Sequence, residues 1–159
     1  MSQTIDAVVI DVDGVLTDGT FWWGPNGEEW KRFSFADVMG ISLGRKVGLV
    51  FGLISGEASP LVDRLAIKMG IEEVHKGCKD KAAALCLFSE RQRIPLDRIC
   101  FIGDDVNDLS AMAIAGMSAA PANAQPRVLA AASLTLAHNG GNGAVRELID
   151  LILSSYGSS

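Results

Sequence analysis

A short apolar run, Ala7 to Ile10, leads directly into Asp11-Val12-Asp13-Gly14-Val15-Leu16-Thr17. Two carboxylates placed two residues apart at the end of a buried strand lose hydration that apolar packing does not return, so they need a cation. A second acidic cluster, Gly103-Asp104-Asp105-Val106-Asn107-Asp108, follows another apolar run, Ile99 to Ile102. If both runs are parallel strands of one sheet, the clusters meet at one edge as hard oxygen ligands suited to Mg2+.

The rest of the chain has the rhythm that such a sheet requires. A further apolar run, Leu49 to Ile54, and weaker ones near Val74, Met117 and Leu134 read as buried parallel strands. Helical patterns separate them. Pro60 to Met69 puts Leu61, Leu65 and Met69 on one stripe behind an early proline, and Lys81 to Arg91, Asp108 to Ala115 and Asn123 to Ala131 continue the alternation. The expected fold class is α/β, a doubly wound parallel sheet in a three-layer sandwich of Rossmann-like form, with its ligand crevice beyond the carboxyl ends of the strands.

Two segments depart from that rhythm. From about 20 to 35, Phe21-Trp22-Trp23 and Trp30-Lys31-Arg32-Phe33 flank the turn signal Gly24-Pro25-Asn26-Gly27, which predicts a β-hairpin insertion. All three tryptophans of the chain lie there, more aromatic surface than a solvated hairpin supports, which predicts an oligomer contact. Gly140-Gly141-Asn142-Gly143 reads as a flexible loop, followed by an amphipathic helix from about 144 to 156 carrying Val145, Leu148, Ile149 and Ile152 on its apolar face.

With 159 residues and 48% hydrophobic content, a single domain spanning 1–159 can bury roughly two thirds of its unfolded surface. The three cysteines, Cys78, Cys86 and Cys100, are odd in number and lack metal-site spacing, so reduced thiols and a cytoplasmic location are expected. No charged and apolar leader precedes the first strand, and no apolar run approaches the length of a membrane span. The net charge of −5 and the absence of a basic run exclude nucleic acid as the expected partner.

The acidic clusters carry the chemistry. Asp11, leaving the strand directly, can bind the metal with one oxygen and attack phosphorus with the other. Asp13 is placed to protonate a leaving oxygen and then take a proton from water, its backbone carbonyl being a further metal ligand. Gly14 lets the loop turn without a side-chain clash. Ser55 and Gly56 close the Leu49 to Ile54 strand, where a hydroxyl and backbone N–H groups can hold phosphoryl oxygens. A lysine should neutralise the transferring group; Lys81 opens the next helix, with Lys76 and Lys79 as competitors. Asp104 is the expected metal ligand of the second cluster, with Asp105, Asn107 and Asp108 around it orienting waters or the lysine. His75 and His138 lack partner spacing and read as ordinary loop or strand-end residues.

These elements, in the order Asp-x-Asp-Gly, Ser-Gly, Lys and Gly-Asp-Asp-x-Asn-Asp at successive strand ends, resemble the haloacid dehalogenase superfamily of phosphohydrolases. The resemblance implies Mg2+-dependent hydrolysis through an aspartyl-phosphate, with Asp11 to Thr17, Ser55, Lys81 and Gly103 to Asp108 as its four motifs. No interval between motifs holds a cap domain. Asp11 to Gly19, Glu28 to Phe33, Asp37 with Gly40 and Ile41, and Gly140 to Leu148 are similar to the capless branch that includes the 3-deoxy-D-manno-octulosonate 8-phosphate phosphatases. That branch implies a sugar acid phosphate substrate, a role in lipopolysaccharide or sialic acid biosynthesis, and a homotetramer whose neighbouring subunits cover each site. At Glu57 the branch usually carries arginine. A glutamate there is more similar to phosphatases of nine-carbon substrates such as 2-keto-3-deoxynononate 9-phosphate, with Lys68 as the companion substrate-binding residue. Three other readings compete: a phosphatase of another small sugar phosphate; a noncatalytic regulatory or binding domain, disfavoured because every catalytic position is filled; and a phosphate-storing receiver, disfavoured because Asp13 would activate water.

Overall fold

A computed structural model describes residues 3–157; residues 1, 2, 158 and 159 of the expected 1–159 unit lie outside the described residues. The first apolar run forms β1 (Ala7–Asp11), buried throughout. A wide turn, Val12–Leu16, leads to an antiparallel hairpin, β2 (Trp22–Trp23) and β3 (Glu29–Trp30). The chain then runs through α1 (Phe35–Lys46), β4 (Val50–Ile54), α2 (Pro60–Met69), β5 (Glu73–His75), α3 (Lys81–Gln92), β6 (Ile99–Ile102), α4 (Leu109–Ile114), β7 (Met117–Ala120), α5 (Pro126–Ala131), β8 (Leu134–Thr135) and α6 (Ala144–Gly157).

The main sheet has the order β5-β4-β1-β6-β7-β8, and every neighbouring pair is parallel. The chain fills one side of β1, then crosses to fill the other, so the carboxyl end of β1 lies at a topological switch point. Register sets the height of each loop there. Asp11 pairs with Ile54, immediately before Ser55, and Ile10 pairs with Ile102, two residues before Asp104. The expected α/β three-layer sandwich without a cap domain is therefore the observed one. Alternation along the strands splits the core: Val8, Ile10, Leu53 and Ile102 pack with α1, α2 and α6 residues, and Ala7, Val9, Phe101 and Phe88 form the opposite layer with α3, α4 and α5. Among the described residues no helix is long and apolar enough to cross a membrane.

The structure corrects several local readings. The helix expected from Asp108 starts as a 3-10 turn, Val106–Asp108, and becomes α-helical at Leu109, while the Asp108 carboxylate accepts the backbone N–H groups of Asp104 and Asp105. The one expected from Asn123 begins at Pro126, and Asn123 Oδ1 instead accepts the Gly140 N–H. The glycine segment expected to be flexible is seated: Gly140, Gly141 and Gly143 are buried, and a β-carbon on Gly140 would overlap the Gly14 carbonyl oxygen.

Helix α1 escaped the hydrophobic pattern altogether. Its buried stripe is Asp37, Gly40, Ile41 and Gly44, helical in spacing but not in hydrophobicity. The glycines allow close packing: a β-carbon at Gly40 would lie 3.1 Å from the Arg146 Cα of α6, and one at Gly44 would lie 2.7 Å from the Phe51 ring. Asp37 Oδ1 accepts the Arg146 N–H at 3.0 Å, capping an orphan donor in the first turn of α6 from another helix. Burial raises the Asp37 carboxyl above its usual range, against the backbone N–H groups of α6 that lower it. Asp37→Ala should lower stability by about 1–2 kcal/mol, read from denaturant melts, and an unchanged midpoint would remove the cap from the account.

Candidate active site

The edge formed by the carboxyl ends of β1, β4 and β6 opens into a cleft of about 530 Å³ lined by Asp11, Asp13, Gly56, Glu57, Lys81, Asp104, Asp105 and Asn107, and by the hairpin. Its floor is a buried charge network. Asp80 caps α3 by accepting the Ala83 N–H, which sets Lys81 at the first helical position. From there Lys81, 1% exposed, reaches Asp11 Oδ1 at 3.0 Å and Asp108 Oδ1 at 2.7 Å. The three lysine candidates are thereby separated: Lys76 pairs with Asp63 away from the cleft, Lys79 is exposed, and Lys81 alone of the three lines the cleft.

One ammonium does not balance this floor. Asp11, Asp104 and Asp108 bring carboxylate oxygens within 4.8 Å of one another. Burial, followed by the Asp108 charge, pushes the Asp11 carboxyl well above its ordinary value despite Lys81. Burial also pushes Asp104 up to about 6. Asp108 is committed elsewhere, its two oxygens bonded to Lys81 and to the backbone of Asp104 and Asp105. Asp11 and Asp104 are thus the carboxylates with capacity for a cation, and an all-oxygen donor set matches a hard divalent ion.

The loop after β1 is braced for close approach. Gly14 has φ +87°, and a β-carbon there would overlap Asp104 Oδ2. Thr17, fully buried, accepts N–H groups from Gly14 and Gly19, each at 3.1 Å. Ser55 is also buried, and its Oγ accepts the Glu57 N–H at 3.1 Å. Gly56, Glu57, Asp105 and Asn107 are exposed at the rim. Lys68 is not brought there; it lies in an adjoining cavity of about 490 Å³ with Phe35, Leu61 and Arg64, its Nζ 5.8 Å from the Phe35 ring centroid. His75 and His138 pair with Glu73 and Glu147 away from the cleft.

The hairpin contributes residues that sequence reasoning missed. Phe21, Trp23, Glu29 and Lys31 line the cleft, the period-2 set of one face, while Trp22 and Trp30 pair on the other. Trp23 Nε1 donates to Glu29 Oε1 at 3.2 Å, and Lys31 Nζ donates to Asp13 Oδ1 at 2.7 Å. The alternation was readable in the sequence. Which face met the cleft was not.

Residues 59–148 match the profile of the haloacid dehalogenase-like hydrolases. The chain belongs to that family. It is 34% identical over 156 residues to the 3-deoxy-D-manno-octulosonate 8-phosphate phosphatase KdsC of Escherichia coli K12, spanning 98% of this chain and 83% of that one. Its fold is similar to a 3-deoxy-D-manno-octulosonate 8-phosphate phosphatase structure from Yersinia pestis (TM-score 0.94, 35% identity, covering 96% of this chain and 83% of that one). A second, from Moraxella catarrhalis in complex with magnesium ion, phosphate ion and a KDO molecule, has TM-score 0.93 and 35% identity, covering 96% and 88%. Within the haloacid dehalogenase-like hydrolases the chain is a phosphatase.

The raised carboxyls set a pH dependence for the metal-free protein. A carboxyl whose folded pKa lies above its unfolded value binds its proton first in the folded state, so stability rises as pH falls through the folded pKa. For Asp104 that window runs from about 6 down toward the ordinary 3.8. The melting temperature of chelator-treated protein should rise between about pH 7 and about pH 5. Asp104→Asn should flatten that rise, and a divalent cation at about pH 7 should raise the midpoint by binding the folded state alone. Differential scanning calorimetry checks all three.

Proposed function

We propose that this chain, acting as one catalytic domain, hydrolyses the terminal phosphate of a 2-keto-3-deoxy sugar acid, with Mg2+ held by Asp11, Asp104 and the backbone carbonyl of Asp13. The observation that carries the reading is the position of Asp11, at the end of β1 and in contact with Lys81. Octulosonate 8-phosphate is the favoured substrate, supported by the KdsC relatives and by the neighbouring structure that holds magnesium, phosphate and KDO. Glu57 at the cleft rim supports a nine-carbon ulosonate 9-phosphate as the second reading.

Bound Mg2+ supplies Lewis-acid neutralisation of the phosphoryl oxygens. Asp11 attacks phosphorus and becomes the aspartyl-phosphate, while Asp13 gives its proton to the departing sugar oxygen. Asp13 then takes a proton from the water that attacks the acyl phosphate, which restores Asp11 and releases phosphate. Lys81 neutralises Asp11 and the transferring group. Ser55 and Gly56 hold phosphoryl oxygens, and Asp105, Asn107 and Asp108 orient the acidic loop. Lys68 can serve the sugar acid only from the adjoining cavity, so its role belongs to an assembled site. Three unpaired cysteines, Cys78, Cys86 and Cys100, support a reducing compartment, the cytoplasm, for this chemistry.

Asp11→Asn should lower kcat by at least about 10³-fold with p-nitrophenyl phosphate and Mg2+, while circular dichroism stays unchanged. Normal turnover by that variant would reject Asp11 as nucleophile. Comparison of kcat/KM for eight- and nine-carbon ulosonate phosphates then assigns the substrate.

We further propose a homotetramer joined through the outer face of the hairpin, where Trp22 and Trp30 are 57% and 52% exposed. Light scattering should give a tetramer that Trp22→Ser with Trp30→Ser dissociates. A monodisperse, fully active wild-type monomer would dismiss the assembly.

A further inference from the structure

The hairpin and the loop after β1 meet at one pair of charges. Lys31 Nζ lies 2.7 Å from Asp13 Oδ1, and the Lys31 side chain is only 6% exposed. That burial is unusual for its setting, because Phe21 and Trp23 on the same hairpin face are 48% and 73% exposed. A hairpin lysine free to choose extends into water, which keeps its hydration and its rotamer freedom. Here both are given up for a carboxylate that is itself 34% exposed, and the nearest other anion, Glu29 Oε2, stands at 3.9 Å.

The pairing divides the two oxygens of Asp13. Oδ1 is held by Lys31, and Oδ2 takes part in no hydrogen bond among the described residues. Lys31 approaches from the hairpin side of the cleft, whereas Lys81 serves Asp11 from its floor. The two lysines therefore have separate anions.

We propose that Lys31 is a positioning residue for the acid/base step: it holds Asp13 Oδ1 so that Oδ2 faces the leaving-group oxygen. This rests on the reading of Asp13 as acid/base given above. In that step the proton on Oδ2 passes to the sugar oxygen as the P–O bond breaks and the bond from Asp11 to phosphorus forms. The hairpin then does more than wall the cleft, since one of its side chains aims the proton donor.

The consequence is a dependence on the leaving group. An alkoxide or unsubstituted phenoxide needs a proton to depart, and dinitrophenoxide does not. Using kcat/KM, which reports the first transfer alone, Lys31→Met should lower turnover of phenyl phosphate by about 10²-fold. Turnover of 2,4-dinitrophenyl phosphate should change by no more than about threefold. Lys31→Arg should restore phenyl phosphate turnover to within about tenfold of wild type. In the Asp13→Asn background, adding Lys31→Met should do no further harm, because the two residues act as one unit.

Equal losses on both esters would overturn the proposal by making Lys31 a ligand of the phosphoryl group or of the substrate. No loss on either would overturn it by leaving a structural tie alone. Asp13→Asn separates the two levels of argument. If it shows the leaving-group split and Lys31→Met does not, the acid/base reading stands and this inference falls; if Asp13→Asn shows no split, both fall. Should Lys31→Met fail to fold by circular dichroism, Lys31→Gln carries the same comparison.

Discussion

The ammonium of Lys81, sealed between Asp11 and Asp108, is the interaction on which the site depends. Burying any one of these charges alone is strongly unfavourable, and their mutual attraction offsets that penalty only while all partners keep their geometry. The network reaches into the backbone, because Asp108 also accepts the N–H groups of Asp104 and Asp105. One lysine thus ties the ends of β1 and β6 to the start of α3. Three neighbouring carboxylates still outnumber it, and the surplus negative charge is what makes the edge attractive to a divalent cation.

Around this floor the fold supplies rigidity without a cap domain. Glycines let backbone approach backbone where a side chain would collide: Gly140 against Gly14, and Gly14 against Asp104. The hairpin stands over the cleft with Phe21, Trp23, Glu29 and Lys31 lining it, while Trp22 and Trp30 pair on its other face and stay about half exposed. Strand alternation therefore gives one short element two jobs, lining a cleft and presenting an aromatic surface. Asp37 and the glycine stripe of α1 hold α6 close behind, which keeps the Gly140 to Gly143 segment seated against the loop that follows Asp11.

Much of this was legible beforehand, for local reasons. The runs ending at Ile10, Ile54 and Ile102 announced buried parallel strands because consecutive apolar residues fit a sheet covered on both faces. What escaped notice depended on distant partners. Helix α1 buries an aspartate and two glycines, so its inward stripe carries almost no hydrophobic signal. Lys31 looked like any hairpin lysine until Asp13 came within reach. Lys81 was favoured over Lys76 and Lys79 by its place at the head of a helix, but its contact with Asp11 depends on the Asp80 cap that fixes where α3 begins, and Lys68 proved to face a different cavity.

By itself, the order of residues determined the alternation of strands and helices, the hairpin, the acidic clusters at two strand ends, and the kind of chemistry they serve. Those properties follow from near neighbours: periodicity, caps, turn residues and the hydration needs of clustered carboxylates. Only the tertiary structure decided which lysine meets which aspartate, which hairpin face looks inward, and which glycines must stay bare. These are matters of contact between segments far apart in the chain, set by strand register and close packing.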